Sequence, residues 1–279
     1  MPKPLSTLTF NQAKKIKWLL TDVDDTLTWQ GKLPAETLLA LEKLNSAGVN
    51  IVAVTGACAG WCDQIARLWP VHGVIGENGA FWMQKKNQQF ISREMYPLSQ
   101  MRFRQSKLIQ QLNILLEAYP EVDYAYDQAF RFCDVAINLS QDREPIQEHI
   151  CNELVKKIRR LSIDGQAVYA TLSSIHLNVW VGHHSKRLTA EKYLLENNGI
   201  APMVLNEIAY IGDSLNDESM FSWLPMTFGV KNIEPVLNKL KAKPAYITTK
   251  NGGYGFTELA DIILCAKQQM PLSQTSVAS

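Results

Sequence analysis

The chain has 279 residues, 46% of them apolar and 20% charged, with 28 Lys plus Arg against 27 Asp plus Glu. That length accommodates one large or two ordinary domains with a sizeable core, and the composition excludes a disordered chain. The near balance of charge excludes a global basic field for nucleic acid or an anionic membrane, so an anionic ligand must be met by a local site.

The opening "MPKPLSTLTFNQAKKIK" has no apolar core long enough for a signal peptide, and no uncharged apolar run approaches the roughly 18 residues of a membrane span. A cytoplasmic protein is expected. The five cysteines, Cys58, Cys62, Cys133, Cys151 and Cys265, form neither a CxxC pair nor a zinc-ligand array, and are expected to be reduced and mostly buried.

In chain order, "IKWLLTD" (16–22) reads as a first buried strand. "PAETLLALEKLNSAG" follows as a helix, with Pro34 near its start, Leu38, Leu41 and Leu44 at helical spacing and Gly48 just past its end. "VNIVAVTG" (49–56) completes a β-α-β unit, and "HGVIGENG" (72–79) is a further strand. From about Phe81 to His184 the pattern mixes strand-like "YAYDQAFRFCDVAINL" and "SIHLNVWVG" with helix-like "SKLIQQLNILLEAYP" and "PIQEHICNELVKKIRRL". The β-α alternation then resumes with "RLTAEKYLLENNG" (187–199), closed by Asn198 and Gly199, and "IAYIGD" (208–213). "MTFGV" (226–230), the helix "EPVLNKLKA" (234–242), "AYITT" (245–249) and the helix "TELADIILCAKQ" (257–268) follow, and the tail "PLSQTSVAS" is expected to fray. The fold class is α/β, a doubly wound and mainly parallel Rossmann-like core (1–81 and 185–279) with an inserted α+β domain (82–184).

Polar residues collect where strands end, which is where open α/β sheets bind ligands. Asp22 and Asp24 close the first strand, Thr55 the second and Asp213 the fourth. In extended chain, residues two apart share a face, so Asp22 and Asp24 are expected to point into one crevice and Asp25 away from it. Paired carboxylates need a compensating cation, and an oxygen-lined acidic cleft suits Mg²⁺. "GDSLND" adds Asp213, with Asn216 and Asp217 placed to bond the metal's waters or to orient a lysine. Helix capping would explain one acid but not clusters at two strand ends. Lys186 and Arg187 open a helix, where the macrodipole disfavours cations unless an anion lies nearby. His183 and His184 lack metal-ligand spacing and read as solvated or hinge residues.

"DVDDTL", "VAVTG", "SK" opening a helix and "IGDSLND", in that order, resemble the four motifs of the haloacid dehalogenase superfamily of phosphatases, and the inserted α/β segment resembles the larger cap of its Cof-type, class IIB branch. The resemblance spans nearly the whole chain and implies a sugar-phosphatase-like enzyme. It implies Asp22 as the nucleophile that forms an aspartyl-phosphate, and Asp24 as the acid that protonates the leaving oxygen and then activates water. It further implies Mg²⁺ on Asp22, the Asp24 carbonyl and Asp213 with Asp217 in support, phosphoryl contacts from Thr55, the Gly56 amide and Asn216, and Lys186 neutralising phosphate and Asp22. This chain departs from that pattern at Asp25, where the branch usually has glycine, and in "TGACAG", which lacks an arginine often found after "TG".

Specificity is expected from the cap, where Arg131, Asp134, His176 and Asn178 stand as polar members of apolar strand-like runs. The plainer alternative for each is the polar face of a half-exposed strand. Asn78 and Gly79 read as a hinge into the cap, and "NGGYG" (251–255) as a flexible turn that lacks the lysine and hydroxyl of a phosphate loop. A receiver-type signalling module is excluded because "GVIGENG" carries no aspartate at the third strand's end. The expected partner is a small phosphorylated metabolite, with neither nucleic acid nor membrane. A phosphomutase using the same intermediate and a non-catalytic sugar-phosphate sensor are the alternatives.

Overall fold

The computed structural model describes residues 1–197 and 204–268. The expected helix closure at Asn198 and Gly199 and the tail "PLSQTSVAS" lie outside these residues. The strands are Lys3–Pro4 (β1), Trp18–Thr21 (β2), Asn50–Val54 (β3), Gly73–Gly76 (β4), Phe81–Lys86 (β5), Gln89–Glu94 (β6), Asp123–Tyr124 (β7), Val135–Asn138 (β8), Ser162–Ile163 (β9), Gln166–Leu172 (β10), His176–Val181 (β11), Ile208–Gly212 (β12), Met226–Gly229 (β13) and Tyr246–Ile247 (β14). The α-helices are Phe10–Lys15 (α1), Ala35–Ser46 (α2), Ala59–Leu68 (α3), Leu98–Leu116 (α4), Glu148–Ile158 (α5), Lys186–Asn197 (α6), Glu218–Trp223 (α7) and Gly252–Gln268 (α8).

A nine-stranded sheet runs β1-β14-β13-β12-β2-β3-β4-β5-β6. It is parallel from β1 to β4 and antiparallel across β5 and β6. Strand pleating explains why both faces need helices. Leu19, Ile51, Ala53 and Ile211 enter one apolar cluster with Leu41 of α2 and Leu259 of α8, while Trp18, Leu20, Val52 and Tyr210 enter another with Tyr193 of α6 and Met220 of α7. An antiparallel sheet, β7-β8-β11-β10-β9, forms a second unit with its own core, in which Leu108 and Leu112 of α4 and Leu154 of α5 meet Val135, Leu177 and Val179. The expected mainly parallel α/β core with an additional α+β unit is therefore present.

Several boundaries differ from expectation. β5 and β6 extend the main sheet through β4, so residues 82–94 belong to the core sheet and not to the inserted unit. Trp82 alternates into the core, which the mixed sequence pattern did not reveal. Asn78 and Gly79 accordingly lie inside a 3₁₀ turn, Glu77–Gly79, within the core and not at a hinge. In α2 the buried stripe is Thr37, Ala40, Leu41 and Leu44, and Leu38 is exposed. The segment expected to be a helix over 234–242 is instead a 3₁₀ stretch, Lys231–Val236, with Pro235 inside it, since proline removes an i→i−4 donor. "NGGYG" supplies the first turn of α8, and Gly253 and Gly255 there pack so closely on Leu27, Thr37 and Thr248 that a side chain would collide.

The first strand stops at Thr21, so Asp24 is not extended. Residues 22–28 form a loop closed by the Thr26, Leu27 and Thr28 N–H groups on the Val23 carbonyl. Asp25 sits there at φ 54°, left-handed backbone that glycine enters freely and Asp enters more readily than most residues, which accounts for the departure at this position. Its N–H donates to Thr28 Oγ1 (2.9 Å) and its carbonyl accepts from Asn232 Nδ2 (3.0 Å). Asp25→Gly is expected to leave the melting temperature unchanged or raised, and Asp25→Val to cost about 1–2 kcal/mol by thermal denaturation.

Among the described residues no helix is long and apolar enough to cross a membrane. No disulfide links the cysteines; Cys58, Cys62, Cys133 and Cys151 are buried and Cys265 is exposed.

Candidate active site

Parallel pairing sets the ends of β2, β3 and β12 side by side, with Thr21 opposite Ile211 on one flank and Ala53 on the other. Asp22, Thr55 and Asp213 therefore emerge together at the carboxyl edge. The chain after β12 is held by Asp217, whose Oδ2 accepts from the N–H groups of Asp213 (3.0 Å) and Ser214 (3.1 Å). A Cβ at Gly212 would run into that carboxylate, so glycine is required before Asp213. Lys186, the first residue of α6, reaches Asp22 Oδ1 at 2.6 Å, Asp217 Oδ1 at 2.7 Å and Asn216 Oδ1 at 3.3 Å. Those anions answer the conflict of a cation at a helix start. Tyr210 adds a hydroxyl donor to Asp217 Oδ1 at 2.5 Å.

Asp22, Asp213 and Asp217 each offer a carboxylate oxygen within 4.8 Å of the others, and all are buried. One lysine cannot neutralise so much acid. Burial pushes Asp22 up to about 8, with Lys186 opposing and Asp217 and Asp24 adding repulsion. Burial, then Asp22 and Asp217, push Asp213 well above the carboxylate range. Burial alone would lower Lys186, but Asp217 and Asp22 hold it above its ordinary value. Asp213 Oδ1 is buried without a hydrogen-bond partner, and among the described residues no backbone donor reaches the Asp24 carbonyl. An all-oxygen, acid-rich site with an orphaned carboxylate oxygen fits a divalent cation. Both Asp217 oxygens are already taken by donors, which suits it to support and not to direct ligation.

The loop after β3 faces the inserted unit. Thr55 is buried, and its Oγ1 accepts from the Ala57 N–H at 3.0 Å. A Cβ on Gly56 would meet Asn178 Oδ1 and Asn78 Nδ2, both at 3.1 Å, so glycine lets two amides approach the loop. Arg131 Nη1 donates to the Gly56 carbonyl at 2.9 Å, and Asn178 Nδ2 lies 3.5 Å from it. Arg131 is not a strand residue. It follows a 3₁₀ turn and is gripped by Asp127, at 3.1 Å from Nε and from Nη2, and by Asp134, at 2.9 and 3.0 Å from Nη1. Asp134 also accepts from Asn178 Nδ2 at 3.0 Å. His176 stands apart from this network, bonded through Nε2 to Gln141 Oε1 at 2.7 Å, and burial lowers it to about 4.

A cleft of about 540 Å³ opens beside Asp24 and Asp25 and is bordered by Arg131, Asp127 and His176. A second of about 510 Å³ reaches Lys186, Asn216 and Asn78 from the other side. Asp25 thus lines the cleft, contrary to the expectation that it points away; the turn, and not strand pleating, sets its direction. Asp24 is half-buried and raised to about 6, by burial first and by the Asp25 charge second. His184, expected in solvent or at a hinge, is buried against Trp180 and Tyr96, and burial holds it down to about 4.

Two residues carry site features that the sequence reading did not assign them, Glu77 with no assigned role and Asn78 read as a hinge. Glu77 is buried, at φ 44°, and its carboxylate accepts from the N–H groups of Ala59 (3.2 Å) in the core and of Phe132 (2.7 Å), Cys133 (2.8 Å) and Asp134 (3.1 Å) in the inserted unit. Asn78 is 2% exposed, and neither its Oδ1 nor its Nδ2 has a partner. The available signal was "ENG" itself, polar residues directly after a buried strand.

A model of the haloacid dehalogenase-like hydrolases matches residues 19–128 and 126–257. A phosphoglycolate phosphatase of Pyrobaculum aerophilum is 26% identical over 252 residues, covering 89% of this chain and 96% of the relative. That of Staphylothermus marinus is 28% identical over 253 residues, covering 87% and 95%. Among solved structures, protein 0175 of Thermoplasma acidophilum is similar in fold, with a TM-score of 0.68 at 14% identity, covering 89% of this chain and 98% of that one. The C-terminal domain of Candida albicans trehalose-6-phosphate phosphatase gives 0.69 at 15%, covering 95% and 98%.

Proposed function

The chain belongs to the haloacid dehalogenase-like hydrolases and is a phosphatase, and from that premise we propose a Mg²⁺-dependent phosphomonoester hydrolase that works through an aspartyl-phosphate on Asp22. The observation that carries this reading is Lys186 bridging Asp22 and Asp217 beside the unpartnered Asp213 oxygen, a site short of the positive charge that a divalent cation supplies. The relatives named for phosphoglycolate share a phosphomonoester with this reading. We take the substrate to be a small phosphorylated sugar or related metabolite met in the cytoplasm, in keeping with cysteines that form no disulfide.

Asp22 would attack phosphorus, forming an O–P bond as the bond to the leaving oxygen breaks. Asp24, raised to about 6, would give that oxygen its proton and later take one from the water that attacks the aspartyl-phosphate, releasing inorganic phosphate and restoring Asp22. Lys186 would hold Asp22 in place and offset charge on the phosphoryl group. Asp22, the Asp24 carbonyl and Asp213, with Asp217 in support, would hold Mg²⁺, which supplies further neutralisation of phosphoryl charge. Thr55, the Gly56 amide and Asn216 would donate to phosphoryl oxygens, and the unpartnered Asn78 amide beside Gly56 joins them. Arg131 and Asn178 would act by seating the cap on the Gly56 carbonyl, and His176 by bordering the leaving-group cleft. Asn78→Ala is expected to lower kcat/KM by about 10- to 100-fold in steady-state assays; an unchanged value would remove Asn78 from the phosphate site.

The direct test is metal-dependent release of inorganic phosphate across phosphorylated metabolites, with the Asp22→Asn protein as control. An isomeric sugar phosphate as product would make the enzyme a mutase.

Metal and protons compete for the same carboxylates. Asp22 stands at 3.8 in the unfolded chain and about 8 in the fold, and Asp213 moves the same way. The folded state thus binds more protons, so this contribution to stability is fully present below 3.8 and is lost as pH rises through 8. Chelated protein should melt at progressively lower temperature from about pH 5.5 to 8.5, and added Mg²⁺ should raise the midpoint more at the alkaline end. A larger Mg²⁺ effect at the acid end would contradict the ligand set.

A further inference from the structure

Resting on the phosphatase reading, we infer that the leaving group carries a protonated amine, and that a carboxylate-bearing leaving group is disfavoured. The leaving oxygen must lie where Asp24 can protonate it, so the body of the alcohol occupies the cleft of about 540 Å³ onto which Asp24 opens. Arg131 is the cation that borders this cleft, and it is spent. Its Nε and Nη2 donate to Asp127 and its Nη1 to Asp134 and to the Gly56 carbonyl, so two carboxylates already surround one guanidinium. A substrate carboxylate would have to displace one of them.

The remaining charges on the wall are negative. Asp25 and Asp142 line the same cleft, and neither has a cationic partner among the described residues. Three tryptophans, Trp29, Trp61 and Trp69, stand among the uncharged residues of the lining, with aliphatic Leu33 and Ile65 and polar Gln30 and Ser140. Unpaired carboxylates attract an ammonium group by Coulomb attraction and indole rings can add a quadrupole contribution, and both favour a cation over a neutral group and a neutral group over an anion. His176 adds no competing charge, because its ring is buried and its Nε2 is bonded to Gln141. The cleft therefore differs in charge from what a phosphoglycolate leaving group, an acid, requires.

Glucosamine 6-phosphate, glucose 6-phosphate and 6-phosphogluconate present the same phosphoryl ester on leaving groups of positive, zero and negative charge. Each is measured at about pH 7 with Mg²⁺ both as substrate and as competitor of p-nitrophenyl phosphate hydrolysis, so the order is read whether or not the compound is turned over. The amine is expected to lead the neutral sugar by about tenfold in kcat/KM or inhibition constant, and the acid by about a hundredfold. Asp142→Asn and Trp61→Ala should each narrow the amine's lead. Equal values, a lead for the acid, or no competition by any of the three would overturn the inference while Asp22-dependent p-nitrophenyl phosphate hydrolysis leaves the phosphatase reading standing. Absence of that hydrolysis would remove both.

Discussion

Asp22→Asn protein is expected to fold, to keep its Lys186 contact and to lose turnover by on the order of 10⁴- to 10⁶-fold, because an amide oxygen cannot form the acyl-phosphate that water then resolves. Folding should not suffer. Lys186 retains Asp217 at 2.7 Å, and the amide oxygen can still accept from its ammonium. Removing one carboxylate from a cluster with more acid than base also relieves repulsion on Asp213, so chelated Asp22→Asn should melt at or above the wild-type temperature near pH 8. Its melting temperature should respond less to Mg²⁺, since a ligand is missing. Phosphate release, chelator-treated thermal scans and Mg²⁺ titration of the midpoint separate these effects. Retained activity would move the nucleophile elsewhere, and a large loss of stability would mean that Asp22 serves the fold.

Glu77→Ala is the second change expected to have a large effect, although Glu77 bonds to backbone N–H groups and to none of Asp22, Asp24 or Lys186. Its two oxygens take four backbone N–H groups, from Ala59 and from Phe132 to Asp134. Leaving buried donors unmade costs about 1–3 kcal/mol each, and relaxation recovers part of this, so a loss of roughly 3–5 kcal/mol is expected in denaturant unfolding. Glu77→Gln keeps the shape but turns an NH₂ toward two of those donors, for a smaller loss of about 2–3 kcal/mol. The segment released carries Arg131, which seats on the Gly56 carbonyl, so KM should rise as the inserted unit loses its register on the loop after β3. Hydrogen exchange gives the readout that a merely destabilised core would not. In Glu77→Gln the amides of 132–134 should exchange faster while those of β2 and β12 stay protected. Uniform loss of protection would assign Glu77 to global stability instead.

The sequence by itself determined which polar residues gather at the carboxyl edge of the sheet. Alternating apolar runs, each followed by a polar residue, place Asp22, Thr55 and Asp213 at the ends of parallel strands, and Lys186 at a helix start already implied a nearby anion. Local chemistry decides such features, because strand period, helix caps and the carboxylate-metal relation act over a few residues. Tertiary structure alone decided the rest. Strand pleating predicted the wrong direction for Asp25, since the chain had already left the strand and entered a turn at positive φ. The hairpin of β5 and β6 could not be assigned to a sheet from its own residues, because pairing with β4 is a choice among partners distant in pattern. Arg131 read as a cap residue free to contact substrate, but in the fold Asp127 and Asp134 close around it. Glu77 fell within a strand-like run and Asn78 read as a hinge, whereas burial turned the first into the tie between the two units and left the second with an unpaired amide against Gly56. Which charges remain unpaired is a property of the whole fold, because pairing brings together residues that the sequence keeps far apart.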